Sequence, residues 1–287
     1  MFRRTVIKAL TVAAGSAALT ACSSEDTPAA QSTSPTPSTT PRTENAAFEV
    51  GTHDISLSRG SRSLETRLWY PQTGGPYPLI LFSHGLTAHP NDWKNTLSRW
   101  AQAGFVVAAP AYPFTNTNSP AYNDADVPNQ PADAQYVITQ VLQQESARIN
   151  PAKIGASGHS AGGITTLGLF SKVRDNRLAA GIVMAGRQDF GFKPYAGPEA
   201  TLLFVQGEQD RTVLPAQARA AYDAAPWKKA YMSFPDSDHL VDGPAGEVVT
   251  ETSIDFWRWT LNGDTAAMAR LRNDAIKDGL ARWTASF

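Results

Sequence analysis

The chain has 287 residues, 42% of them hydrophobic, with 25 basic against 26 acidic side chains and a net charge of −1. Nothing in that balance suggests nucleic-acid binding, which would want a basic face, while the apolar share is enough for a sizeable core. The single cysteine, Cys22, excludes an intramolecular disulfide and a cysteine metal site.

Arg3-Arg4-Thr5-Val6-Ile7-Lys8 resembles the twin-arginine export signal, and a mildly apolar run from Ala9 to Leu19 follows it. That run is too short to span a bilayer, which takes about 20 apolar residues. Residues 1–21 are therefore expected to be a signal peptide. Leu19-Thr20-Ala21-Cys22 resembles the lipobox of bacterial lipoproteins. The resemblance implies lipidation of Cys22 and an exported protein held on the outward face of the cell membrane. A secretory peptide with an incidental cysteine is the alternative. Residues 22–47 are mostly Ser, Thr, Pro and Ala. Such a stretch buries too little surface to offset its ordering entropy, so a flexible tether is expected.

Residues 48–287 read as one α/β domain. Phe48–Leu57 and Leu64–Tyr70 suggest an antiparallel pair at a sheet edge. Alternation then begins with strand Leu79–Ser83, helix Asp92–Ala103 and strand Val106–Ala109. A long Asn/Pro/Tyr-rich loop, Ala111–Gln130, leads to helix Pro131–Arg148 and strand Lys153–Ser157. Helix Ala161–Val173, strand Ala179–Met184, loop Gly186–Pro198 and strand Leu202–Gln206 come next. Helix Pro215–Ala224, strand Lys229–Phe234 and helix Ala245–Leu261 complete the pattern. Strands alternating with helices predict a mostly parallel twisted sheet covered on both faces.

Gly158-His159-Ser160-Ala161-Gly162, between a strand and a helix, has the G-x-S-x-G form of a turn that exposes a nucleophilic serine. Its glycines are expected because a Cβ there would collide with neighbouring backbone. An acid and a histidine should follow, each after a later strand. Gly207-Glu208-Gln209-Asp210 and Asp236-Ser237-Asp238-His239 stand there. Asp210 would orient His239, and His239 would take the proton from Ser160. Glu208 and Asp189 are weaker rivals for the acid; Asp236 and Asp238 lie too close in sequence to reach around the His239 ring. Of the other histidines, His84 and His159 read as packed supports and His53 and His89 as solvated. An oxyanion hole needs two backbone donors. Ala161, after the nucleophile, supplies one, and Leu86, where Gly85 lets the loop turn, supplies the other.

With these residues the chain resembles a serine α/β-hydrolase. It is nearest the dienelactone-hydrolase-like branch that contains bacterial cutinases and polyester hydrolases, chlorophyllases and platelet-activating-factor acetylhydrolases. The likeness runs from about Phe48 to Asp264 and is carried by Phe82-Ser83-His84-Gly85-Leu86, Gly104-Phe105-Val106-Val107, the elbow through Gly163, Gly207-Glu208-Gln209-Asp210 and Asp238-His239-Leu240. It implies the α/β-hydrolase fold and a serine carboxylesterase acting through an acyl-enzyme on Ser160. Cutinase-like members carry an aromatic where Leu86 stands, and a tryptophan in the segment that here reads Ala185-Gly186-Arg187-Gln188-Asp189-Phe190. Polyester binding in that group uses both. Dienelactone hydrolases use a cysteine nucleophile where this chain has Ser160.

Tyr112 and Phe114 in one long loop, and Arg187 and Phe190 in another, are candidates to line a substrate pocket, with internal packing as the equal alternative. No long insertion suggests a large lid, so an open cleft for small or surface-presented esters is expected. Neither a metal nor an organic cofactor has a motif, and the mechanism requires none. Acyl transfer or thioester cleavage would use the same residues. A non-catalytic envelope lipoprotein that keeps the fold as a binding module is the alternative outside enzymology.

Overall fold

A computed structural model describes residues 47–287. The expected signal peptide (1–21), the Cys22 lipidation site and all of the 22–47 tether but its last residue lie outside the described residues. No helix among the described residues is long and apolar enough to cross a membrane.

The strands are β1 (Val50–Arg59), β2 (Arg62–Pro71), β3 (Tyr77–Ser83), β4 (Val106–Pro110), β5 (Ile149–His159), β6 (Leu178–Met184), β7 (Thr201–Gly207), β8 (Lys229–Phe234) and β9 (Arg282–Ser286). They form one sheet in the order β1-β2-β4-β3-β5-β6-β7-β8-β9. The six strands from β4 to β8 in that order pair in parallel. Antiparallel partners flank them: β1 and β2 at one side, β9 at the other. This is the α/β-hydrolase fold.

Each central strand is apolar on both sides, because both faces of the sheet are covered. Alternation splits its residues between two core layers. Leu79 and Leu81 of β3, Val106 and Ala108 of β4, and Leu202 and Phe204 of β7 join one layer. Their neighbours Ile80, Phe82, Val107, Leu203 and Val205 join the other. The helices are α1 (Lys94–Gln102), α2 (Gln130–Gln144), α3 (Ala161–Leu169), α4 (Pro215–Ala224), α5 (Gly243–Asn262) and α6 (Thr265–Ile276). Val137, Ile138 and Val141 of α2 and Tyr222 of α4 fill the first layer. Trp100 of α1, Phe256 and Trp257 of α5 and Leu271 of α6 fill the second.

Most predicted elements form, with differences at their ends. The helix after the elbow stops at Leu169 rather than Val173, because Phe170, Ser171 and Val173 donate back to the carbonyls of Leu167 and Gly168 in a terminal turn. The helix predicted to Arg148 ends at Gln144, and residues 145–148 close a turn in which the Arg148 N–H reaches the Glu145 carbonyl. The first predicted helix begins only at Lys94, after a 3-10 turn over Pro90–Trp93. Two elements beyond Leu261 were not predicted. Gly263, at φ 73°, ends α5. The carboxylate of Asp264 then accepts the Ala267 N–H at 2.9 Å and starts α6.

From β3 the chain crosses to β4 on one side and then to β5 on the other. A crevice opens where the strand order reverses in this way, outside the carboxyl ends of the strands. The loop after β3 and the elbow after β5 flank it.

Candidate active site

Ser160 sits between β5 and α3 with φ 57° and ψ −119°, a conformation costly for a residue with a side chain. Close packing enforces it. A Cβ on Gly158 would lie 2.2 Å from the Gly162 carbonyl oxygen, and one on Gly162 would lie 1.9 Å from that of Ser83. Those glycines therefore let the elbow nest against the end of β3, and the Ser160 N–H is tied to the Met184 carbonyl at 3.0 Å.

The three expected side chains meet. Asp210 Oδ2 accepts from His239 Nδ1 at 2.8 Å, and His239 Nε2 lies 2.9 Å from Ser160 Oγ. A carboxylate only accepts, so the Nδ1 proton belongs to His239 and its Nε2 lone pair faces the serine hydroxyl. Asp210 is buried and multiply bonded. Its other oxygen accepts from the backbone of Thr212 and Val213 at 2.8 and 2.9 Å, and Gln206 Nε2 donates to Oδ2 at 3.0 Å. Burial works to raise its pKa, but the bonds from His239, Val213, Thr212 and Gln206 prevail and hold it below the ordinary carboxylate value. Sequence reasoning missed Gln206 and the Thr212–Val213 backbone. The signal for Thr212 and Val213 is the tight turn just after the acid; Gln206, four residues before it on β7, carries none.

The rival acids are occupied elsewhere. Asp189 pairs with Arg187, Glu208 with Arg282 and Ser233, and Asp238 caps the Leu240 N–H. Asp236 is exposed. His159 and His84 are supports, as expected. The Nε2–H of His159 donates to the His239 carbonyl at 2.8 Å, and its ring lies between those of Trp93 and His239. Nδ1 of His84 donates to the Gly85 carbonyl at 2.7 Å, and its Nε2 accepts the Tyr112 N–H at 3.0 Å. Burial drives both pKa values down to about 4, so both rings are neutral near pH 7. His53 and His89 are less solvated than expected: His53 bonds Glu145 at 2.9 Å, and His89 caps the Pro90–Trp93 turn.

Leu86 and Ala161 flank Ser160 in one cavity. Ala161 is the first residue of α3, so its N–H has no intrahelical partner. The left-handed residue of the loop after β3 is Thr87, at φ 55°, rather than Gly85. Gly85 serves close approach instead: a Cβ there would stand 3.2 Å from that of Ser160.

Of the four pocket candidates, two reach the site. Phe190 and Arg187 line the cavity beside Ser160, with Arg187 held by Asp189 at 2.8 Å. Tyr112 does not: it is fully buried in the core, its hydroxyl 2.8 Å from Ser83 Oγ. An aromatic whose hydroxyl finds a buried partner packs inward. Phe114 is turned away as well, its ring under the Arg62 guanidinium at 5.1 Å. Val127, Ile164 and Val213, which sequence reasoning passed over, take their place in the wall. They carry no chemical signal, only apolar bulk.

A protein-family model described as Chlorophyllase matches residues 43–186. The chain belongs to the chlorophyllase family. The match spans β1 to β6, including the loop after β3 and the elbow of this chlorophyllase-family chain, and so ties it to ester-cleaving hydrolases. Asp210 and His239 lie beyond the matched residues, and their assignment rests on the geometry above. No curated protein matches the chain.

Proposed function

We propose that this protein is a serine carboxylesterase. The observation that carries the reading is the continuous bonded chain from Asp210 through His239 to Ser160, opening on a cleft. Ser160 Oγ attacks the ester carbonyl while His239 Nε2 takes its proton. The N–H groups of Leu86 and Ala161 receive the developing oxyanion. Asp210 holds the ring and stabilises the imidazolium. His239 then returns the proton to the departing alkoxide oxygen. Water, deprotonated by the same nitrogen, attacks the acyl-enzyme, and the acid leaves as Ser160 recovers its hydroxyl.

The test is hydrolysis of p-nitrophenyl esters by the full chain beside Ser160→Ala, with a fluorophosphonate probe. Turnover and labelling should vanish together in the variant. A folded wild-type protein that neither labels nor turns over would sink the reading and favour a binding module.

Export and a lipid anchor on Cys22 belong to the same proposal, supported by the Arg3-Arg4 and Leu19-Thr20-Ala21-Cys22 motifs. Metabolic labelling with a fatty acid in a bacterial host should mark the wild type and not Cys22→Ala. Equal labelling of both would refute the anchor.

A further inference from the structure

Two cavities meet at the nucleophile and share only Ser160 and Leu86 among their lining residues. The larger, about 630 Å³, lies between the oxyanion loop, α1 and the start of α5. Trp93, Met184 and Val249 contribute its apolar wall. The smaller, about 310 Å³, is walled by Val127, Ile164 and Val213, with Phe190 beside them. His239 borders only the larger; Ala161 borders only the smaller.

That division assigns the two halves of an ester. At the tetrahedral centre the oxyanion is fixed toward the N–H groups of Leu86 and Ala161. The alkoxide oxygen must come within about 2.6–3.2 Å of His239 Nε2 to collect its proton. The alcohol half therefore leaves over His239 into the larger cavity, and the acyl half is left with the smaller. Charge adds a second constraint. Asp92, Asp242 and Glu247, the last paired with Arg99, line the larger cavity, and no lysine or arginine lines it among the described residues.

We propose that the preferred substrates join a short acyl group to a bulky alcohol that carries no negative charge. The proposal rests on the esterase reading and adds to it which half of the ester each cavity takes. Ile164 and Val127, both buried, set the acyl limit from α3 and the 3-10 turn Asp124–Asn129 before α2.

The experiment uses the full chain and two substrate series. In the first, the alcohol is p-nitrophenol and the acyl group runs from acetate to palmitate. In the second, the acyl group is acetyl and the alcohol runs from methanol to benzyl alcohol, with carboxybenzyl and trimethylammoniobenzyl forms. kcat/KM should fall at least about tenfold between butyrate and octanoate, since pockets discriminate added methylenes by such factors. It should hold or rise with alcohol size and drop for the carboxylate form. Ile164→Ala should move the acyl optimum to longer chains and leave the order of alcohols intact. An acyl profile that is flat or rises to palmitate overturns the assignment, as does rejection of the bulky alcohols. Failure of every ester, with no fluorophosphonate labelling, is a separate outcome that removes the esterase reading itself.

Discussion

Acidification from pH 7 to pH 5 should destabilise this protein, because two histidines are buried neutral. His84 and His159 have folded-state pKa values pushed by burial from 6.5 to about 4. Between those limits the unfolded chain binds protons that the folded chain refuses. Stability therefore falls as pH falls through that window. At pH 5 each unfolded imidazole is almost fully protonated and each folded one is mostly neutral. The loss is about 2 kcal/mol per histidine, or about 4 kcal/mol together. That is a large share of the roughly 5–15 kcal/mol that holds a domain folded. Urea titrations at pH 7 and pH 5, followed by tryptophan fluorescence, measure it. Equal midpoints and slopes at the two pH values would refute the reasoning. So would a His159→Gln variant that keeps the full pH dependence together with a His84→Gln variant that does the same.

Asp210→Asn should cut kcat by about 10⁴-fold with little change in fold. The amide can keep its oxygen on the Thr212 and Val213 N–H groups only by turning its NH₂ toward His239 Nδ1 and Gln206 Nε2. That forces the wrong tautomer on His239; a loss under tenfold in p-nitrophenyl acetate assays would show that Asp210 does not orient it. Gly162→Ala should destabilise by about 3 kcal/mol or more in a thermal melt, because its Cβ would land 1.9 Å from the Ser83 oxygen and pry the elbow from β3. Arg62→Gln should cost about 3–5 kcal/mol by denaturant titration, since the guanidinium forks onto Asp126 and Asp133, both buried. A cost below 1 kcal/mol would mean that water or Arg59, already on Asp133 at 2.7 Å, replaces it.

The parts of the molecule that sequence reasoning read well are those where local chemistry and periodicity agree. Continuous apolar runs such as Leu79–Phe82 and Leu202–Val205 declare strands buried on both faces. The elbow declares itself because only glycine fits at 158 and 162. Misreadings came where identity is silent about direction. Tyr112 and Phe190 are both aromatics in long loops, yet one is sealed in the core and the other stands at the cavity mouth. What separates them is Ser83, a hydroxyl 29 positions before Tyr112 that the fold carries to within 2.8 Å of it. Strand β9 escaped for a related reason. Arg282, Thr284, Ala285 and Ser286 are exposed, so no apolar alternation marks the segment. Only its pairing with β8 makes it a strand.

That last strand has a consequence for handling the protein. β8 is buried along nearly its whole length, with Ala230, Tyr231, Met232 and Phe234 in its short run. β9 matches it from Lys229 to Ser233, and Phe287 follows, its ring 4.8 Å from that of Trp259. Stripped of this cover, β8 would present unpaired amides along an apolar ribbon, the form of edge that recruits a second chain. A few polar residues thus act as a selvedge that keeps the sheet from adding strands of a neighbour. Tags or fusions that tug on residues 282–287 threaten solubility before they threaten catalysis.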